Sequence, residues 1–221
     1  VTTRVKGPFT AELLNEVQAV LQDILACEFV GGLADGTLSY PSFAHYLSQD
    51  ELYLRQDNEA LELVAQRAPN GAYRDFFRTL AQDGLAVEKA LHDDYLTHFG
   101  VKAATQQSPV FKAYGEFLLE HARHSAFPVA IAALLPCFWI YAYTGEFIDK
   151  HRTENNIYKK FIDTYSGQEY ENYVEKFIGI TEELGNNASP EIRTMMKETF
   201  FNSASFELKV FEEATELGKV Q

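Results

Sequence analysis

Apolar residues recur at three- and four-residue spacing along almost the whole chain, from about Thr10 to Leu217. That is the spacing of one face of an α-helix. No stretch alternates apolar and polar residues at period two, and no repeat or low-complexity segment appears. Proline at helix starts and glycine at helix ends divide the pattern into eight segments. They run from about Thr10 to Leu33, ended by Gly31, Gly32 and Gly36; from Pro41 to Arg67; from Ala72 to His98, closed by Gly100; from Pro109 to His124; from Pro128 to Lys150; from Glu154 to Tyr165; from Glu169 to Leu184, closed by Gly185; and from Pro190 to Leu217. The expected fold class is all-α, a multi-helix bundle forming a single domain over residues 1–221.

Composition removes several classes of function. The 221 residues carry a net charge of −13 with no basic cluster, so nucleic acid is not an expected partner. The most apolar stretch, "FPVAIAALLPCFWIYAYTG", is interrupted by Pro136 and rich in tyrosine. It reads as a buried helix rather than a membrane span. Only two cysteines are present, Cys27 and Cys137. Neither has a C-x-x-C partner, so no zinc site or disulfide framework is expected. A reducing, cytoplasmic setting fits that usage. The opening residues lack the charged-then-apolar pattern of a secretory signal. A segment or domain ahead of Val1 is left open.

Polar groups then stand out on apolar faces. In the second segment Asp50 and Asp57 share the stripe of Tyr46, Tyr53 and Ala60. Buried carboxylates have to be paired, hydrogen-bonded or protonated; a solvated edge or a structural ion pair is the simpler explanation. In the last segment Glu207 sits among Met196, Phe200, Ser203, Val210, Phe211 and Ala214, whereas Lys209, Glu212 and Glu213 read as ordinary surface. Acids on the inner stripes of two separate helices suggest a polar pocket within the bundle. The fifth segment adds Cys137 and Tyr141 one turn apart, beside Leu134, Thr144 and Ile148, with Pro136 able to kink the helix. Cys137 is either an inert core thiol or a nucleophile. The 17 Phe and 12 Tyr, with Tyr114 and Tyr165 on apolar stripes, form either an aromatic core or a slot for a flat heteroaromatic ring.

Other chemistries lack their signatures. None of the six histidines has an acid three residues before it, as a di-iron bundle requires. His121 and His124 stand i,i+3 but read as surface or capping groups. No GxGxxG, Walker or GxSxG motif occurs.

Four stretches carry a resemblance: "GTLSYPSFAHYLSQDELYL" (Gly36 to Leu54), "LLPCFWIYAYTGE" (Leu134 to Glu146), "YKKFIDTYSGQEY" (Tyr158 to Tyr170) and "FFNSASFELKVFEEA" (Phe200 to Ala214). With compatible helices between them, about Thr10 to Ala214 resembles the TenA/thiaminase II family of aminopyrimidine hydrolases. The resemblance implies a haem-oxygenase-like fold, no metal, no organic cofactor and a homotetramer; no membrane partner is expected, because no apolar run is long enough to span one. It implies a substrate among thiamin and 4-amino-5-aminomethyl-2-methylpyrimidine, hydrolysed to the hydroxymethyl pyrimidine in thiamin salvage. By motif position the nucleophile falls on Cys137, the catalytic acid on Glu207 and the pyrimidine-binding aspartate on Asp50. Tyr53, Tyr114, Tyr141 and Tyr165 fall where the family lines its pocket.

Three positions depart from the pattern. Relatives often have His-Pro-Phe where this chain has Cys27-Glu28-Phe29, and Trp at the positions of Phe161 and Glu212. The first two are expected to affect the pocket rim. A pyrimidine- or thiamin-binding protein without catalysis remains the alternative. A haem-binding relative would need a histidine in the pocket, and only His45 falls within the motifs.

Overall fold

The computed structural model describes residues 4–165 and 167–220, with only the backbone of Tyr165. Every regular element among them is helical. In chain order these are α1 (Pro8–Glu16), α2 (Gln18–Ala26), α3 (Glu28–Asp35), α4 (Tyr40–Gln66), α5 (Gly71–Ala90), a π-helical turn (Leu91–Tyr95), α6 (Leu96–Phe99), α7 (Pro109–His124), α8 (Phe127–Leu134), α9 (Pro136–His151), α10 (Lys159–Ile162), a 3-10 turn (Asp163–Tyr165), α11 (Gln168–Asn187) and α12 (Pro190–Val220).

Two long helices form the frame. α4 packs against α5, α7 and α12, and α12 packs in turn against α8 and α9. α8 is closed off almost completely, with Val129 to Leu134 at 1% exposure or less. By length and composition alone residues 127–151 could cross a membrane, but 72% of their most apolar window is buried within the protein. The expected buried segment is what the chain forms, divided into α8 and α9 at Leu135, where Pro136 cannot donate a backbone hydrogen bond.

Several expected boundaries shift. The single helix expected over residues 10–33 is three helices. Val17 interrupts it with φ −104° and ψ 11°, and Cys27 is extended as the N-cap of α3. The apolar spacing continues across the first break because Leu21 N–H still donates to Val17 O at 2.9 Å, so periodicity does not reveal it. Gly36 ends α3 in the left-handed region, φ 79°, where a glycine carries no Cβ penalty. The helix expected from Glu154 is only α10 and the short 3-10 turn.

Gly185 does not close its helix: α11 runs through it to Asn187. A Cβ there would lie 2.0 Å from the Phe9 ring, so this glycine admits an aromatic residue of α1. One turn earlier, Glu182 accepts from Phe9 N–H (3.1 Å), Thr10 N–H (2.9 Å) and Thr10 Oγ1 (2.8 Å). It supplies the N-terminal cap that α1 lacks locally. Glu213 is likewise not surface. Its carboxylate accepts from Ser108 Oγ and from Val110 N–H (2.9 Å) at the start of α7.

Candidate active site

The stripe of α4 faces the interior between α7, α9, α11 and α12. Tyr46, Asp50, Tyr53 and Asp57 stand on it at helical spacing. α7 contributes Tyr114, α9 Cys137 and Tyr141, α11 Tyr170, and α12 Phe206 and Glu207. Asp50, Cys137 and Tyr170 lie deep in protein yet retain accessible surface. Interior groups that keep accessible surface are within reach of water or a small ligand. Two surface hollows, one beside Tyr95, Lys159 and Lys160 and one beside Cys27 and Gly32, share no residue with this cluster.

The helix break sets the position of Cys137. Near Pro136 the regular i to i−4 ladder is interrupted, and Trp139 and Phe138 both donate to Leu135 O. Side chains occupy the neighbouring carbonyls: Ser203 Oγ donates to Ala133 O at 2.6 Å, and the Cys137 thiol lies 2.8 Å from Leu134 O. The same sulfur is 3.4 Å from Asp57 Oδ1. Tyr114 Oη donates to Glu207 Oε1 at 2.5 Å, and its ring stacks on Phe206 with centroids 5.0 Å apart and planes 7° apart. Tyr53 leans on Tyr114 at 5.0 Å, and Tyr141 meets Tyr170 edge-on at 5.7 Å.

The electrostatics are those of a largely buried, acidic cluster. Burial carries the Asp50 carboxyl up to about 7, helped by the charge of Asp57. Burial carries Asp57 up to about 7 as well, against the pull of the Cys137 hydrogen bond. Glu207 is pushed up to about 8 by burial and by Asp57 and Asp50, with the Tyr114 hydroxyl opposing. The Cys137 thiol is raised by burial and by the nearby acids, Asp57 first. Burial also raises Tyr46, Tyr53, Tyr114 and Tyr170. Among the described residues, Glu51, Tyr53, Asn58 and Thr144 each bury a polar side-chain atom with no hydrogen-bond partner. Two belong to this region: the hydroxyls of Tyr53 and of Thr144, one turn beyond Tyr141. Tyr53 Oη lies beside the Cys137 thiol and Tyr114 hydroxyl without a well-formed bond to either. Buried polar atoms without partners mark places where a ligand can supply them.

Asp50, Tyr53, Tyr114, Tyr141, Cys137 and Glu207 are thus brought together. The Tyr165 side chain lies outside the described residues. Tyr170, Phe206 and Tyr46 were legible only as members of apolar stripes or motifs, and nothing in the sequence set them apart from core. Asp57 was visible on the α4 stripe, but its pairing with Cys137 was not. His45 points to Glu213 at 3.5 Å, away from the cavity. His121 bonds Ser125 at 2.7 Å. No cluster of three or more His, Cys, Asp or Glu suited to a metal occurs among the described residues.

The profile of the TENA/THI-4/PQQC family matches residues 14–216. The chain belongs to this family. Among TENA/THI-4/PQQC relatives, the thiamine biosynthesis multifunctional protein ThiED of Corynebacterium efficiens is 34% identical over 213 residues, 96% of this chain but 29% of that protein. The chain therefore spans under a third of that relative's length. An aminopyrimidine aminohydrolase of Bacillus subtilis is 31% identical over 183 residues, covering 81% of this chain and 78% of that one. A TenA homologue from Pyrococcus furiosus superposes with a TM-score of 0.89 at 21% identity, covering 94% of this chain and 100% of its own. A Shewanella denitrificans domain with a heme oxygenase-like fold does so at 0.73 and 15% identity, covering 93% and 91%. The fold is haem-oxygenase-like, as the resemblance implied. Of the departures, Phe161 packs on Phe43 and on Tyr46 of the site stripe, whereas Cys27 is the N-cap of α3 and Glu212 is exposed.

Proposed function

We propose that the chain hydrolyses a 4-amino-5-aminomethyl-2-methylpyrimidine, or thiamin, at the exocyclic methylene, giving the hydroxymethyl pyrimidine for thiamin salvage. The observation that carries this reading is one buried aromatic cluster that holds Cys137 with three carboxyl groups, each carried by burial toward neutrality. Family membership and likeness to the Bacillus subtilis aminohydrolase support it.

The ring resists displacement at its methylene while aromatic. A protonated Glu207, oriented by Tyr114, donates to a ring nitrogen and makes the ring electrophilic. Cys137 adds through sulfur to a ring carbon and breaks the aromaticity. The electrons so placed expel the amine, or the thiazole of thiamin, from the methylene. Water adds there and the proton it loses offsets the one carried off by the departing amine, through solvent; the sulfur then departs and the ring recovers. Asp50 accepts from the exocyclic amine and fixes orientation. Tyr53, Tyr114 and Tyr141 line the slot for the ring, Tyr165 joins them by resemblance alone, and a homotetramer in the cytoplasm belongs to the same reading.

The test is to incubate purified protein with each pyrimidine and follow hydroxymethyl pyrimidine, with Cys137→Ser and Glu207→Gln alongside. Turnover lost in both variants supports the assignment. Near wild-type turnover in either removes that residue from the chemistry. Binding without turnover by the wild-type protein would make it a pyrimidine-binding protein instead.

A further inference from the structure

Among the described residues no Lys, Arg or His pairs with Cys137. The groups around its sulfur are Asp57 and Tyr53 from α4, Tyr114 from α7, Tyr170 from α11 and Glu207 from α12. Burial and nearby negative charge both disfavour a free thiolate, so the sulfur needs a proton acceptor at the moment it adds. Among the described residues, the thiol makes two well-formed hydrogen bonds, and the Tyr53 hydroxyl beside it is too weakly acidic, its pKa raised further by burial, to be read as a base. Leu134 O, at 2.8 Å, is a backbone carbonyl and cannot take a proton at ordinary pH. Asp57 Oδ1, at 3.4 Å, can. Glu207 has its own hydrogen bond from Tyr114. Asp50 stands two turns from Asp57, about 10 Å along α4, far enough for a substituted pyrimidine to fit between them.

Resting on the proposed reaction, we infer that Asp57 is the proton acceptor for Cys137. As the C–S bond forms, the S–H bond breaks and its proton passes to the Asp57 carboxylate, while Glu207 gives its proton to the ring nitrogen. When the C–S bond breaks, its electron pair stays on sulfur, which recovers the proton from Asp57; the ring proton returns to Glu207. Two acids therefore serve opposite faces of one addition. Asp57 starts ionised and Glu207 starts protonated. The hydrogen bond from the Cys137 thiol favours the charged form of Asp57, and the negative charges of Asp57 and Asp50 favour the proton on Glu207, which is that arrangement. The unpartnered hydroxyl of Tyr53 is available to the sulfur as charge builds on it.

The test uses a Cys27→Ser background, so that Cys137 is the sole thiol, and compares Asp57 with Asp57→Asn and Asp57→Glu. Two readouts are taken from pH 5.5 to 9.5: kcat/KM for the aminomethyl pyrimidine, and the rate of iodoacetamide alkylation of Cys137 in ligand-free protein. General-base loss predicts a fall in kcat/KM of about 10²–10³-fold for Asp57→Asn, with loss of the acid limb and partial recovery in Asp57→Glu. Alkylation moves the other way. Removing a negative neighbour lowers the thiol pKa, and the gain in thiolate outweighs its reduced nucleophilicity, so Asp57→Asn reacts several-fold faster near pH 8. A residue serving only packing would not drive the two readouts apart. Asp57→Asn turnover within threefold of wild type, or alkylation unchanged or slower, overturns the inference. If the wild type turns over neither pyrimidine, the proposed reaction fails by itself, and the alkylation comparison decides whether Asp57 governs the thiol.

Discussion

Replacing Glu207 by glutamine is expected to stabilise the ligand-free protein in mildly alkaline solution. Glu207 is 8% exposed, and burial with the charges of Asp57 and Asp50 carries its carboxyl up to about 8 from an ordinary 4.5. In the unfolded chain the group ionises near the ordinary value. Below that value both states hold the proton and the fold keeps its full stability. As pH rises the unfolded chain loses the proton first, so stability falls by about 1.4 kcal/mol per pH unit until the folded group ionises too. The loss approaches about 4 kcal/mol by pH 8 before cavity water screens it. Glutamine has no such dependence and can still accept from Tyr114. Urea unfolding at pH 5 and pH 8, at one protein concentration, reads the effect. The wild type should lose stability between the two, and Glu207→Gln should lose about 2 kcal/mol less. A variant no more stable than wild type at pH 8 would mean that Glu207 is ionised in the fold, and its role as an acid would fall with it.

Tyr114→Phe removes the hydrogen bond that holds Glu207 down, so the alkaline limb of the pH–rate profile should move to higher pH, with kcat reduced about tenfold. Glu182 lies below its ordinary value: burial raises it, but hydrogen bonds from Thr10 and Phe9 outweigh that. Glu182→Ala should cost about 2 kcal/mol at pH 7. Wild type and variant should converge as pH falls through the depressed folded value, because that stabilisation is present only above the unfolded value; chemical denaturation at pH 7 and pH 3 checks this. Gly185→Ala forces the Phe9 ring aside and should lower stability by about 1–3 kcal/mol, measured by thermal unfolding. A loss under 0.5 kcal/mol would show that α1 shifts freely.

Glu207 and Asp57 show where the sequence stops. Spacing placed each on an apolar helical stripe, since a 3.6-residue period is a local property. The all-α class, the starts at Pro41, Pro109 and Pro190, and the buried character of residues 127–151 followed from the same local rules. The resemblance supplied Cys137, Asp50, Glu207 and the tyrosines as a set, because its motifs keep those residues at fixed register. Spacing missed the breaks at Val17 and Cys27, where the apolar stripe passes through a change of direction that packing imposes. It misread Gly185 and Glu213, whose roles depend on Phe9 and the start of α7, each more than 100 positions away. Only the tertiary structure set the Cys137 sulfur within hydrogen-bonding distance of Asp57, 80 positions apart, and gathered three acids in one low-dielectric cavity. A carboxyl's titration depends on what surrounds it in space, and that is decided when the helices pack.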